Sequence, residues 1–433
     1  MMQISLRGIA NKAKRQRKYR FANLYTMLNE ANLVDSWRYV KKNVACGVDK
    51  VDAREFEREL LHHVGSLVDR LKRKSYKAKL VRRHYIPKGK GKLRPLGILT
   101  TIDKLLQMAV GRILNAIFEQ DFLPYSFGYR PGLGVKNALK ELEYQLQFGW
   151  YNYVVEADIK GFFDHINHDW LLKMLAQRIN DQPFLRLIGK WLKAGILDTD
   201  GKVIHPVTGT PQGGIVSPIL ANVYLHYVLD LWFEKVVKPR CKGQVYLCRY
   251  ADDFVVLFQA EKEAEWFYKE LGRRLGKFNL ELSPDKTRIL SFSKHRMQEN
   301  TRFDFLGFEF RWGYNRKGKP HIKKRTSRAK LHKSIVEMTT WCRRHRHRPV
   351  RQIFQKLNAK LRGYYNHYGM IGNSKRLKEF FYHVSRILFK WLNRRSERKS
   401  YNWDGFNALA KQFNLLRPRI TERKNNQFKL QLV

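Results

Sequence analysis

The sequence predicts an α+β fold, because short strand-like runs are interspersed with helical segments without a regular β–α–β alternation. A doubly wound parallel sheet is therefore disfavoured. From about residue 325 onward the spacing of apolar residues is helical throughout. The 433 residues are 43% hydrophobic and 13% aromatic, which is enough apolar material for packed cores and excludes a disordered basic protein.

The N-terminal part predicts helices followed by a hairpin. Apolar residues recur at helical spacing from Phe21 to Leu28 and from Phe56 to Leu67, so residues 1–75 are predicted to form a helical extension. The segment His84–Ile98 has two apolar runs around a lysine–glycine alternation, which predicts a β-hairpin with a basic tip. Asp103–Phe118 then predicts an amphipathic helix.

The middle part predicts two β features that end in acidic residues. Tyr153–Asp158 is a short β-rich run that ends in Glu-Ala-Asp. Helical periodicity follows at Trp170–Ile179 and at Val216–Lys235. Val245–Tyr250 and Phe254–Phe258 are apolar runs separated only by Ala-Asp-Asp, which predicts a tight hairpin with two acids at its turn.

The C-terminal part predicts a basic helical bundle. One apolar stripe runs from Ile353 to Tyr368 and a second from Leu377 to Trp391, and lysine or arginine occupies the remaining face of each helix. The final segment, 396–433, is polar and contains Pro418, so we expect it to be only partly ordered.

Positive charge is the strongest feature of the composition. The chain carries 85 lysines and arginines against 38 acids, a formal net charge of +47. Residues 311–433 hold 33 of these bases and only 5 acids, a net charge of +28. This distribution predicts a polyanionic partner, and an acid-bearing catalytic region followed by a phosphate-binding one. A cationic surface kept for solubility is the alternative, but self-repulsion makes it costly and acids serve solubility better.

The sequence indicates a cytoplasmic protein without a membrane span. It contains no run of eighteen or more uncharged apolar residues. Residues 1–20 contain seven lysines and arginines but lack the apolar region of a secretory signal. The four cysteines form no Cys-x-x-Cys pair, so neither a disulfide framework nor a zinc ribbon is indicated.

The adjacent acids Asp252 and Asp253 predict a metal site. Aspartate is a poor strand residue and neighbouring carboxylates repel each other, so we expect a cation to hold them. Together with Asp158 they offer the hard oxygen ligands that suit Mg²⁺. Two such ions, about 3.5 to 4 Å apart, would support an in-line phosphoryl displacement. The alternative is that the aspartate pair is only a polar turn.

Seven ordered motifs resemble those of reverse transcriptases, and of group II intron reverse transcriptases in particular. Tyr250–Phe254 (YADDF) resembles the catalytic box, and Glu156–Ile166 (EADIKGFFDHI) resembles the motif with the first carboxylate. The other matches are finger segments, a glycine-rich turn and two later palm motifs: Ile86–Lys88 with Arg94–Gly97, Tyr125–Pro131, Gly209–Pro218, Leu282–Thr287 and Phe305–Phe308. Their shared order along the chain makes the resemblance specific.

The resemblance implies a right-hand polymerase with fingers and palm, whose site holds two Mg²⁺ ions, with Mn²⁺ as an alternative. Asp158 and Asp252 match the two principal metal ligands, and Asp253 matches a supporting carboxylate. Phe163 matches the aromatic residue that excludes a ribose 2′-OH, whereas its neighbour Phe162 is predicted to be core. The remaining matched residues are implied nucleotide contacts: Lys88, Arg94, Gln212 and Lys286.

The predicted C-terminal bundle resembles a thumb. Leu357–Gly369 is similar to the maturase-specific thumb segment of group II intron proteins, which contacts intron RNA in that family. Its apolar residues are expected to be core, and the basic residues on the other faces are the RNA-contact candidates: Arg343, Arg344, Lys356, Lys360 and Arg362.

The resemblance implies four regions: an N-terminal extension (1–75), fingers and palm (76–310), an all-helical thumb (311–395) and a short basic segment (396–433). The implied activity is synthesis of DNA from deoxynucleoside triphosphates on an RNA template with a DNA primer. Group II intron RNA and target DNA are the other implied partners, and the ribonucleoprotein would be associated with the nucleoid. No His-Asn-His cluster follows the thumb, so we expect the compact type without that endonuclease domain.

Two alternatives to an intron-encoded polymerase stay open. One is a splicing cofactor that binds and folds intron RNA without needing polymerase activity; intact acids favour the enzyme, because a retired site is free to lose them. The other is a reverse transcriptase adapted to a host defence or CRISPR system, which the RNA encoded around the gene would distinguish.

Overall fold

The computed structural model describes residues 5–89, 92–210, 213–297, 301–397 and 400–422. The chain forms two compact units: the first combines Met1–Gly134 with Val155–Ile289, and the second combines Val135–Val154 with Leu290–Val433. Both helices and strands are abundant and β–α–β alternation is irregular, which confirms the predicted α+β class.

The first unit begins with the predicted helices. These are α1 (Leu6–Arg15), α2 (Glu30–Trp37), α3 (Ala53–Arg58) and α4 (Leu60–Lys72), with a 3₁₀ turn at Tyr25–Met27. Ser5, Asn29 and Asp52 cap the first three, since each side chain accepts a hydrogen bond from a backbone N–H of the first turn. The apolar face of α4 is buried, as its periodicity predicts.

The predicted basic hairpin follows, and then the helix at the centre of the core. Strands β1 (Val81–Gly89) and β2 (Lys92–Ile98) pair antiparallel. Helix α5 (Thr101–Phe118) is capped by Thr100, and 12 of its 18 residues are buried, which makes it a core helix rather than a surface one. Helix α6 (Val135–Phe148) then belongs to the second unit.

The chain next forms one strand and three helices: β3 (Tyr153–Asp158), α7 (Phe162–His165), α8 (His168–Leu175) and α9 (Gln182–Leu192). Strands β4 (Ile196–Leu197) and β5 (Val203–Ile204) extend the hairpin sheet in the order β2-β1-β4-β5. Helices α10 (Ser217–Leu225) and α11 (Lys238–Arg240) enclose two π-helical stretches, His226–Asp230 and Phe233–Val237. The predicted long helix at 216–235 is thus locally widened, a feature often found near functional sites.

A four-stranded sheet carries the predicted acidic hairpin. Strand β6 (Val245–Tyr250) pairs antiparallel with β7 (Asp253–Phe258), and the sheet order is β6-β7-β3-β8, where β8 is Arg288–Ser291. All residues of β7 after Asp253 are buried, as expected for the apolar run. Helix α12 (Glu261–Gly276) and a 3₁₀ turn at Pro284–Lys286 lie between β7 and β8.

The second unit contains a three-stranded sheet and then the predicted helices, so the expectation of an all-helical region at 311–395 is wrong for its first part. Residues 320–326 alternate between exposed and buried positions and pair with the preceding strand, and the helices begin only at Arg328. Strands β9 (Phe303–Phe305), β10 (Phe308–Tyr314) and β11 (Pro320–Thr326) are ordered β11-β10-β9. They are followed by α13 (Arg328–His345), α14 (Val350–Tyr368) and α15 (Ser374–Leu392). The predicted stripe of α14 is largely buried, including Leu357, Leu361 and Tyr365.

The segment after residue 396 contains a further helix, α16 (Trp403–Gln412), where only partial order is expected from composition. Tertiary packing explains it: the Trp403 ring stacks on Phe389 of α15 at 4.1 Å between centroids, and Phe406 is buried. Within the described residues, every helix is either too short or too polar for a membrane crossing.

Candidate active site

The two adjacent aspartates lie on the tight turn between β6 and β7. Tyr250 and Asp253 are paired across the hairpin, so Ala251 and Asp252 form a two-residue loop; we call Tyr250–Asp253 the aspartate turn. Ala251 has a φ of +57°, a left-handed value that such loops require and that alanine adopts only at a cost. The turn places Asp252 and Asp253 at the same end of the hairpin.

Asp158 ends β3 and lies close to the aspartate turn. Its Oδ2 is 2.7 Å from the Nζ of Lys286, and its backbone carbonyl accepts a hydrogen bond from the N–H of Ser283 at 2.8 Å. Burial raises the pKa of the Asp252 carboxyl, and the negative charge of Asp158 raises it further. Arg94 and Lys286 lower this pKa, so the structure brings the two carboxylates together with two of the three predicted cations.

The two carboxylates fit a divalent metal ion. Asp158 and Asp252 repel each other, which creates an electrostatic demand for a cation. Carboxylates completed by phosphate oxygens and water are the ligands that Mg²⁺ prefers. Asp253 is exposed, and the part of the chain that the structure describes gathers no three acidic, histidine or cysteine side chains into a metal-binding group. Asp158 and Asp252 are the two carboxylates that interact directly in this arrangement.

Phe163 lies on α7, directly after the strand that carries Asp158. Its ring is half-buried, whereas Phe162 is 2% exposed and is a core residue, as predicted. The Phe163 carbonyl accepts a hydrogen bond from the N–H of Thr210 at 2.8 Å. Gly209 has a φ of +89°, and a Cβ there would lie 2.8 Å from the Phe163 carbonyl oxygen, so only glycine allows this approach. The glycine-rich turn is thereby fixed against the Phe163 segment.

The finger strands pass beside the glycine-rich turn. A Cβ on Gly213, whose φ is +117°, would lie 2.4 Å from the carbonyl oxygen of Gly97. Arg94 is exposed on β2, opposite Ile86, and Lys88 lies at the irregularity of β1 between Pro87 and Gly89. The predicted nucleotide contact Gln212 lies outside the described residues.

A buried arginine that no sequence motif indicates supports the aspartate turn. Arg249 is fully buried, and its Nε and Nη2 donate to the two carboxylate oxygens of Asp230 at 2.7 and 2.6 Å. Its Nη1 donates to the Oδ1 of Asn222 and to the carbonyl of Ala251, both at 3.0 Å. The bidentate ion pair with Asp230 fixes Arg249, and Arg249 in turn holds the strained Ala251 by the hydrogen bond to its carbonyl.

The same cluster attaches a finger segment to the turn. Asn222 donates its Nδ2 to the carbonyl of Gly128 at 2.6 Å, and the N–H of Phe127 donates to the carbonyl of Arg249 at 2.8 Å. A sequence signal for this cluster exists: Arg249 is the one charged residue of the otherwise uncharged strand Val245–Tyr250, and a buried charge needs a partner.

A second missed residue fixes the far side of the glycine-rich turn. Gln107 is a buried polar residue of α5, and its Oε1 accepts hydrogen bonds from the N–H groups of Ile215 and Val216 at 3.0 and 3.4 Å. A single glutamine within an apolar helix gives only a weak signal, because the partner is more than 100 residues away.

The candidate RNA contacts lie on the helices of the second unit. Arg343 and Arg344 are exposed near the C-terminal end of α13, and three further basic residues are exposed on α14: Lys356, Lys360 and Arg362. The Nζ of Lys360 lies 5.6 Å from the ring centroid of Trp341, so this lysine is partly positioned by an aromatic neighbour.

Comparison with known families places the chain among the reverse transcriptases. Residues 86–310 match the family described as reverse transcriptase (RNA-dependent DNA polymerase), and this range includes β2, Asp158 and the aspartate turn. Residues 322–407 match the maturase-specific domain of group II introns. The chain therefore belongs to the family of group II intron-encoded reverse transcriptases and maturases.

Curated relatives agree with this family. The chain is 31% identical over 403 residues to the group II intron-encoded protein LtrA of Lactococcus lactis subsp. cremoris, covering 74% of this chain but 65% of LtrA. It is 34% identical over 294 residues to the protein YkfC of Escherichia coli K12, covering 60% of this chain and 74% of YkfC. A putative COX1/OXI3 intron 1 protein of Saccharomyces cerevisiae is 26% identical over 398 residues, covering 74% of this chain and 47% of that protein.

Proposed function

We propose that this protein is an RNA-directed DNA polymerase that extends a DNA primer on an RNA template and releases pyrophosphate. The observation that carries the proposal is the meeting of Asp158 and Asp252 beside Lys286 and Arg94. Paired carboxylates suit a metal-assisted attack, and the adjacent cations suit a triphosphate. Membership of the reverse transcriptase family supports the reaction class.

Asp158 and Asp252 would hold the divalent cations, two Mg²⁺ ions with Mn²⁺ as an alternative, and Asp253 would support them. A metal held there would supply activation of the primer 3′-hydroxyl and stabilisation of the leaving oxygen. Lys286, 2.7 Å from Asp158, orients that carboxylate. Arg249 keeps Asp252 in place, because it binds the carbonyl of the preceding residue.

The nucleotide would be bound by residues from the fingers and the glycine-rich turn. Arg94 can donate two parallel hydrogen bonds to phosphate oxygens, whereas Lys88 would act as a point charge. Phe163 would lie under the sugar and exclude a 2′-hydroxyl by steric contact. Gln212 is proposed to line the same pocket by its motif position.

The second proposed activity is binding of group II intron RNA in splicing and mobility. The match to the maturase-specific domain supports it, together with the net charge of +28 over residues 311–433. Exposed cations on helices bind phosphates without strict geometry, which suits a large folded RNA. The proposed contacts are those on α13 and α14: Arg343, Arg344, Lys356, Lys360 and Arg362.

Primer extension on a generic RNA template, run beside a splicing assay with the RNA encoded around the gene, tests both activities. We expect Mg²⁺-dependent extension, and splicing stimulated by the protein. Splicing without extension would replace the polymerase proposal by that of a pure splicing cofactor. Extension without a flanking intron RNA would instead indicate a polymerase that serves a host system.

A further inference from the structure

Tyr129 has a backbone conformation that a bulky side chain rarely adopts. Its φ is +57°, in the left-handed region, where residues other than glycine, asparagine and aspartate are uncommon. Such a conformation costs free energy and persists only where the surrounding structure enforces it, which is most often at functional sites.

The residues on both sides of Tyr129 are fixed by buried or partly buried contacts. A Cβ on Gly128 would lie 2.2 Å from the backbone nitrogen of Ala251, so this glycine is packed directly on the aspartate turn. Arg130 donates from Nε to Glu119 at 3.0 Å and from Nη1 to the carbonyl of Ser126 at 2.6 Å. With both neighbours fixed, the backbone of Tyr129 and the direction of its Cα–Cβ bond are fixed as well.

The Tyr129 ring is directed at the proposed nucleotide pocket. Its centroid is 6.4 Å from that of Phe163, with an interplanar angle of 75°, which is an edge-to-face contact. Burial raises the pKa of the Tyr129 hydroxyl, and the charge of Asp252 raises it further, whereas Arg94 lowers it. The ring therefore lies near Phe163, Asp252 and Arg94, which are proposed to exclude the 2′-hydroxyl, to bind the metal and to bind the phosphates.

Tyr129 is nevertheless 47% exposed, so a large part of its surface is open toward solvent. A ring that only filled the core would be covered, and a ring on an ordinary surface would not lie against Phe163 and beside the aspartate turn. Exposed surface that is held rigidly among site residues is what a ligand contact requires.

We propose that Tyr129 is a further specificity residue of the nucleotide pocket, forming its second wall and holding the Phe163 ring against the sugar of the incoming deoxynucleotide. The proposal rests on the polymerase function proposed above. Removal of the ring would leave Phe163 free to move, so a ribonucleotide would be admitted more easily, and the deoxynucleotide would lose a contact.

Single-nucleotide incorporation by the full chain tests the proposal, with kcat and KM measured for a deoxynucleoside triphosphate and for the matching ribonucleoside triphosphate. We expect Tyr129→Ala to raise KM for the deoxynucleotide and to lower discrimination by roughly threefold to tenfold, the size of one aromatic pair contact. Tyr129→Phe keeps the ring and should retain discrimination. Tyr144→Ala, which removes a ring of similar exposure on α6, is the matched control.

A double-variant cycle separates pocket geometry from general damage. Phe163→Ala alone should relax sugar selection, and Phe163→Ala with Tyr129→Ala should relax it no further, because both rings act through one contact. Tyr129→Asn, whose short side chain tolerates a positive φ, provides a second variant if the alanine variant does not fold. It should show the same loss of discrimination.

Two results would overturn the inference. If the wild type incorporates nucleotides and neither Tyr129→Ala nor Tyr129→Asn changes KM or discrimination, Tyr129 is not part of the pocket and the polymerase function stands. If the wild type incorporates no nucleotide under any divalent metal, the proposed function fails and the Tyr129 role fails with it.

Discussion

Beneath the aspartate turn a single arginine is fully buried, whereas the arginines and lysines of α13 and α14 lie exposed on the outer helix faces. Arg249 is held by an acid, an amide and a backbone carbonyl, so its position is fixed to within hydrogen-bond tolerances. Arg344 and Lys356 are exposed residues of a highly basic region. The difference indicates that buried charge fixes geometry for chemistry, while exposed charge supplies attraction to a polyanion.

Removing the buried arginine should have the largest effect on folding. Arg249→Met leaves Asp230 buried without its partner, so the free energy of unfolding should fall by about 3 to 5 kcal/mol. Urea denaturation followed by circular dichroism measures it. Arg344→Met makes the same substitution at an exposed position, and its free energy of unfolding should stay within about 0.5 kcal/mol of the wild type.

A partner variant identifies the cause of the Arg249 effect. In Arg249→Met with Asp230→Leu neither charge remains, so stability should recover in part even though the turn has lost its support. Equal destabilisation by Arg249→Met and Arg344→Met would show that burial does not distinguish the two regions.

Acidification should destabilise the same buried cluster. His226 is 4% exposed, with its Nδ1 3.9 Å from the Oδ2 of Asp230, and burial lowers its pKa to about 4. The His226 imidazole takes up a proton near pH 6.5 in the unfolded chain, but only near pH 4 in the folded chain. The free energy of unfolding therefore decreases as the pH falls from about 6.5 toward 4, by roughly 3 kcal/mol at most.

Unfolding free energies measured between pH 7.5 and 4.5 check this. His226→Gln should lose less unfolding free energy on acidification than the wild type does. His347 is an exposed histidine of the basic C-terminal region, so His347→Gln should lose as much as the wild type. A wild-type stability that does not change between pH 7.5 and 4.5, or the same loss in His226→Gln, would contradict the assignment.

The smallest effect on stability is expected from the exposed cations. Lys356→Ala and Lys360→Ala should each change the free energy of unfolding by less than about 0.5 kcal/mol. Each should reduce the slope of log affinity for duplex RNA against log salt concentration by about 1, if that lysine neutralises one phosphate. Filter binding at several salt concentrations measures the slope, with Lys269→Ala on α12 as the control. An unchanged slope would remove α14 from the RNA contact surface.

Short-range patterns predicted the parts of the fold and site that depend on neighbouring residues. The hairpin around Asp252 follows from two apolar runs separated by three residues, and the α14 stripe follows from helical spacing. Resemblance singled out Asp158 and Phe163, because their motif is contiguous. Asp158 and Asp252 are distant in the sequence and come together only in the tertiary structure, so only the order of the motifs indicated their proximity.

What the sequence could not predict depends on contacts between distant segments. Arg249 is supported by Asn222 and Asp230, which come from a helix and from a π-helical stretch that periodicity alone reads as ordinary helix. The positive φ of Tyr129 is imposed by packing on the aspartate turn, and tyrosine itself carries no signal for it. Helix α16 likewise forms because Trp403 stacks on Phe389.

Replacing the paired carboxylates tests most directly the claim that one region performs chemistry and the other binds RNA. Asp158→Asn and Asp252→Asn keep the size of each side chain and remove its charge, so primer extension should fall by roughly three orders of magnitude or more, since several kcal/mol of metal stabilisation are lost. RNA affinity of the same variants should stay within about twofold of the wild type. Extension within tenfold of the wild type in either variant, or a parallel loss of RNA affinity, would contradict the account.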